Sequence, residues 1–251
     1  QNSILKRPLR GIHTGDPCKL RTDMMCNDMP YRWMLDKVED PYGNTMKFQY
    51  WLEQNKARTV GDSTKPMQYD LGAYLTDIYY GKTPNASPAI GYRDRVRFSW
   101  VRRCVEALSS SNDANCPTVD NAHGTSYPDV PTDLVCPTTA TTCSKDPSFF
   151  DLRRLSIITT YTSADGTNWG NGVNQWRAYA LLPDPGDGGN EKLWLNYFAR
   201  VVPDSTTAPP TIATLVLPGV QFGGVPLQNR RDGNPGAGVP YMNQYRLNSI
   251  S

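Results

Sequence analysis

Residues Trp33 to Tyr50, WMLDKVEDPYGNTMKFQY, constrain the fold more than any other stretch, because they carry an antiparallel β-hairpin together with its own turn. Met46, Phe48 and Tyr50 alternate with Thr45, Lys47 and Gln49, the period of two of a half-buried strand, and Leu35 and Val38 supply the apolar side of the opposing arm. Between the arms sits DPYGN. Asp40 can bond back to the backbone, Pro41 presets φ, and Gly43 and Asn44 accept positive φ, so the reversal is specified locally.

Length and composition agree with a β protein. A chain of 251 residues makes one large β domain or two small ones, and 20 Gly with 21 Pro favour many short strands over long helices. A net charge of +2 implies no strong field for nucleic acid or an anionic membrane. The Arg row on the strand YRDRVRFSWV is interrupted by Asp94, which also argues against nucleic acid. No run of about 18 apolar residues is available for a membrane span. QNSILKRPLR has no apolar h-region, so no signal peptide is expected within it.

Six cysteines fall into three local couples, Cys18 with Cys26, Cys104 with Cys116 and Cys136 with Cys143. Fifteen pairings are formally possible, and local closure is the simplest. Each bridge would contribute about 3 kcal/mol by the chain-entropy argument. Zinc is a poor alternative, because there is no C-x-x-C and only His13 and His123 could join as ligands. Disulfides imply an oxidising, extracellular compartment.

Along the chain, residues 1–30 are expected to be an irregular, Cys-bearing opening segment, and residues 31–102 a first hairpin sheet. Within the latter the expectation is a polar connection from Gln54 to Tyr69, a short strand in AYLTDIYYG, and the strand YRDRVRFSWV. That strand alternates strictly, with Val96, Phe98 and Trp100 on one face and Arg93, Arg95, Arg97 and Ser99 on the other. Residues 103–147 lose all periodicity and hold four of the six cysteines, which predicts a long polar excursion stapled by disulfides. Residues 148–251 are expected to form a second hairpin sheet through RRLSIITTYTS, VNQWRAYALL, LWLNYFARVV and TIATLVLPGVQF. The closing YRLNSI reads as a strand with no partner left in the chain, which suggests a segment of something longer.

Catalytic signatures are scarce. No G-x-S-x-G elbow, P-loop, H-E-x-x-H or G-x-G-x-x-G occurs, and His13 and His123 both lie in loop-like sequence. Asp40, Asp165, Asp184, Asp187 and Asp232 all neighbour Gly or Pro, where a carboxylate ordinarily bonds the turn backbone. A glycosidase-type carboxylate pair remains an alternative that sequence cannot measure. Asp184, Asp187, Asn190 and Glu191 gather oxygens over a short loop and make a weak Ca²⁺ candidate that departs from the EF-hand spacing. Fourteen Tyr and six Trp leave a third reading, in which rings such as Trp33, Trp100, Trp169, Trp176 and Trp194 stack on glycans or a partner; cross-strand packing is their commoner use.

Six motifs in order carry a resemblance. RWMLDKVEDPYGNTMKFQY is similar to a W-x-L-x-x-V-x-D-x-x-G-N unit with alternating residues after it. YRDRVRF, YPDVPTDLVC, SFFDLRRLSIITT, LLPDPGDG with the following LWL, and LPGVQFGGVPLQNR come next. Together they resemble the region preceding or opening the repeats of secreted bacterial RHS, or YD-repeat, proteins, over roughly residues 31–251. The resemblance implies an all-β, antiparallel hairpin strip forming part of a curved shell of the RHS type. Such shells occur in toxin complexes, where they commonly enclose a C-terminal effector, and in adhesion receptors. It further implies a non-catalytic, secreted or cell-surface structural segment without a cofactor. Its partners would be the rest of the same polypeptide or neighbouring copies, through terminal strands left unpaired within the chain, with glycans as a further possibility.

Overall fold

The computed structural model describes residues 3–20, 25–59, 62–82, 91–108, 112–169, 174–181, 192–202, 215–227 and 244–251. Strands β1 (Ile4–Arg10) and β2 (Met25–Trp33) pair antiparallel as a separate two-stranded sheet, from Ile4 opposite Trp33 to Arg10 opposite Met25. This corrects the expectation of an irregular opening segment. Two register shifts interrupt the pairing, so no run of alternation is long enough to be read from ILKRPLR. Leu5 is nonetheless fully buried.

The main sheet begins with β3 (Lys37–Glu39), β4 (Thr45–Thr59) and β5 (Asp62–Lys82). Val38 lies opposite Met46 as the turn chemistry requires, but the hairpin arm is short, and Trp33 belongs to β2. Residues 54–59 and 62–69 are strand, not a polar connection. Asn55 faces Tyr69 and Ala57 faces Met67, all four buried, while Gln54, Arg58 and Gln68 are exposed. The polar side chains reflect a ribbon covered on one face, which hydropathy alone reads as a loop.

Strands β6 (Asp94–Arg102), β7 (Arg153–Thr162), β8 (Asn174–Leu181), β9 (Trp194–Val202), β10 (Leu215–Val216), β11 (Val220–Leu227) and β12 (Gln244–Ile250) complete the sheet. The order is β12-β11-β9-β8-β7-β6-β5-β4-β3, all antiparallel, with β10 beside β9. The two terminal strands do not pair with each other, so the sheet is not closed into a barrel. The two expected sheets are therefore one. Strands β6 and β7 pair from Asp94 opposite Thr162 to Arg102 opposite Arg153, and Arg103 N–H donates to the Leu152 carbonyl at 3.0 Å. The excursion thus leaves and rejoins the sheet at adjacent points, as an enlarged hairpin loop.

The core lies between that excursion and the far end of the β4–β5 ribbon. Ala57, Tyr69 and Leu71 pack with Cys104, Ala107, Tyr127, Val130 and Leu152. Asn55 stitches the two together: its Nδ2 donates to the Tyr69 hydroxyl and the Leu134 carbonyl, each at 3.1 Å, and its Oδ1 accepts the Cys136 N–H at 2.8 Å. Lys56 and Arg58 N–H groups reach the carbonyls of Cys136 and Lys145, so the excursion partly covers the outer edge of β4. Asp70, one residue beyond Tyr69 and on the opposite face, accepts the Lys6 N–H at 2.7 Å and so anchors β1.

Candidate interaction surface

At one end of the sheet the edge is β3. The turn that follows it is held by Asp40, whose Oδ1 accepts the N–H groups of Tyr42 and Asn44 at 2.9 Å while Oδ2 accepts Asn44 Nδ2 at 2.7 Å. Pro41 takes the first corner, and Gly43, at φ +79°, occupies a conformation that side-chain-bearing residues rarely adopt. The Asn44 amide and the turn N–H groups hold the Asp40 carboxyl below the ordinary carboxylate range. Lys37, Val38 and Glu39 are all exposed, and Lys37 pairs with Glu39.

At the other end the edge is β12. It lies against β11 from Phe222 opposite Ile250 to Leu227 opposite Gln244, which corrects the expectation of a strand with no partner in the chain. Both sequence ends are likewise paired on one side, β1 with β2 and β12 with β11. No described residue pairs with the outer side of β12, and residues 246–250 are exposed. Gly224 makes the β11–β12 contact possible. A Cβ there would collide with the Tyr245 ring, and that ring packs edge-on against Trp194.

The six cysteines form the disulfides Cys18–Cys26, Cys104–Cys116 and Cys136–Cys143. The last two staple the excursion from inside, with Cys104, Cys136 and Cys143 buried. A charged network ties the same region to the sheet. Arg153 donates to Glu53 at 2.9 Å and to Asp113 at 3.1 Å while lying 4.0 Å from the Trp51 ring centre, and Arg103 pairs with the nearly buried Asp129. Glu53 and Asp113 are thus two carboxylates that converge on one guanidinium, an arrangement that ties the excursion to the sheet.

The arginine face of YRDRVRFSWV is not uniformly exposed. Arg95 is buried with Asp77, the guanidinium 2.5 Å from the carboxylate, and lies 5.4 Å from the ring centres of Tyr79 and Tyr161 and 5.8 Å from that of Trp169. Alternation correctly put Arg95 opposite Val96, but a loop residue, Trp169, comes over the polar face and covers it. No local signal marks this arrangement; only the return of the segment after β7 creates it.

Most other aromatics also pack. Trp100 Nε1 donates to the Leu75 carbonyl and its ring meets Tyr74, Trp194 Nε1 donates to the Phe222 carbonyl, and Trp176 is half-buried on β8, whereas Trp33 and Tyr42 are largely exposed. His123 Nδ1 sits 2.7 Å from Asp120, which also accepts the Ala122 and His123 N–H groups, a capping arrangement at a short 3₁₀ turn. His13 is exposed in the loop after β1. Asp165 caps its turn through the N–H groups of Thr167 and Asn168. Asp184, Asp187, Asn190, Glu191 and Asp232 lie outside the described residues, among which no group of three or more His, Cys, Asp or Glu is placed to hold a metal ion. No helix among the described residues is long and apolar enough to cross a membrane.

No family model and no curated protein matches this chain. Among solved structures, the chain is similar to one in a crystal structure of TcdB2-TccC3, at 14% identity and a TM-score of 0.40. The match covers 78% of this chain and 9% of that one, so the chain spans less than a tenth of the length of the protein it matches.

Proposed function

We propose that this chain is a non-catalytic structural part of an extracellular β-assembly of the RHS or YD-repeat kind, in which further strands of a parent polypeptide cover the sheet edges. The observation that carries this reading is the open antiparallel sheet, whose terminal strands expose apolar side chains: Leu35 and Val38 beside one end, Leu247 and Ile250 at the other. An exposed apolar edge on an otherwise well-ordered sheet is a liability for an isolated domain and an attachment point for a wall. The six ordered sequence motifs support the same reading, and three disulfides suit an oxidising compartment. The convergent carboxylates Glu53 and Asp113, both bound to Arg153, favour a structural over a hydrolytic role.

Intact mass of the natural product, captured from secreted material with an antibody against this chain and measured after reduction, tests the proposal. A mass well above 28.0 kDa, with shell-like particles by negative-stain electron microscopy, is the expected result. A 28.0 kDa product without larger particles overturns it.

A further inference from the structure

Strand β12 carries a register feature that its length and exposure alone do not reveal. Gly223 lies opposite Ser249 and Gly224 opposite Leu247, so Asn248 is an extra residue on β12, a bulge. Side chains directly opposite one another share a face, and Phe222 and Gly224, two apart on β11, share theirs. Leu247 and Ile250 therefore project from the same face of the sheet although they are three residues apart, where unbroken alternation would separate them. They are 53% and 62% exposed.

Their backbones also agree. Ser251 exchanges both hydrogen bonds with Gln221, so the N–H and C=O of Ile250 turn away from β11 toward the open side. Counting across the bulge, the same holds for Leu247.

From this we infer that a second copy of the chain pairs with the first through β12, antiparallel and about a two-fold axis that passes between Asn248 and Ser249. In this register Leu247 of each copy lies opposite Ile250 of the other, with side chains on one face and outward backbone groups meeting. The bulge, which would misalign an ordinary incoming strand, is matched by its own symmetry mate. Arg246, the one charged residue of β12, lies near the ends of the paired stretch and away from its mate, so no like charges are opposed. The edge is self-complementary, as an isologous contact requires.

The opposite edge does not compete. Strand β3 has three residues, with Lys37 and Glu39 charged on either side of Val38, so it gives a second copy too little backbone to pair with. Association therefore stops at a dimer with one sheet running through both copies and does not continue as a fibre. A single added strand buries less than a standard interface, so the dimer forms with a concentration dependence that sedimentation resolves.

The inference goes beyond the wall reading, since it concerns β12 where no further strand covers it, and its test is separate from the mass measurement above. Sedimentation velocity of the disulfide-intact chain over a concentration series should show a reversible monomer–dimer equilibrium. Leu247→Lys should weaken it by about a hundredfold or more, as expected for losing a buried leucine contact in each copy. Val38→Lys, on the other edge, should leave it unchanged. A mixture of the single variants Leu247→Cys and Ile250→Cys should cross-link between copies on mild oxidation, whereas each alone should not.

A chain that stays monomeric throughout overturns the dimer but leaves the wall reading standing. A dimer insensitive to Leu247→Lys, sensitive to Val38→Lys, or without the mixed cross-link overturns the β12 register. A product of 28.0 kDa that dimerises through β12 would retain this inference while removing the wall.

Discussion

Two cases show how environment outweighs side-chain type. Asp77 and Arg95 are both buried, and removing one charge leaves the other uncompensated in a poorly solvated site. Asp77→Asn should lower unfolding stability by about 3 kcal/mol, measured by urea denaturation. Tyr74 is the second case: burial pushes its hydroxyl up to about 12, against an ordinary value of 10.0. The folded state therefore favours the protonated form. The stability tied to that group is complete below about pH 10 and is lost as pH rises toward 12, because the unfolded chain releases its proton first. Tyr31, Tyr50, Tyr79 and Tyr127 are raised in the same direction, also chiefly by burial. Urea midpoints should fall between pH 9.5 and 11.5, and less steeply in Tyr74→Phe; an equal slope in the variant would assign the fall elsewhere. At this scale the turn residue Asp40 was legible, because its partners are two to four positions away. Arg95 was not, since its cage comes from three separate segments.

Among the elements, the strands whose faces differ were readable and those with mixed faces were not. β4 after its turn, β6 and β7 follow from alternation. The β1–β2 pair and the polar middle of β4–β5 escape it, because register shifts break the period and because Asn55, Gln54 and Asp70 are buried or bonded polar groups that hydropathy counts as loop. The excursion is where sequence and structure meet most closely. It has no periodicity, and its order comes from two bridges, short 3₁₀ turns and backbone bonds onto β4. Cys104–Cys116 spans twelve positions and reaches the core at Cys104. Replacing both cysteines by Ala should cost about 3 kcal/mol by loop entropy, read as a lower thermal midpoint with the β-sheet circular dichroism of the folded state retained.

For the whole molecule, the decisive property is an open sheet with unequal edges. β3 is short and charged, and β12 is longer, bulged and apolar on one face. The predicted parent mass and the predicted dimer are both consequences at this scale, one concerning what continues the sheet and the other what covers β12 when nothing else does. The amino-acid sequence by itself determined the strand-rich class, the turn at Asp40 and the grouping of cysteines into local couples, because those depend on period, turn chemistry and short separations along the chain. Tertiary structure alone decided that there is one main sheet, since β6 and β7 meet only after a detour of fifty residues from Arg103 to Leu152. It also decided that Arg95 is buried and that Leu247 and Ile250 share a face. Each of these is set by which segments lie side by side, a choice governed by burial and register between distant residues that no local pattern encodes.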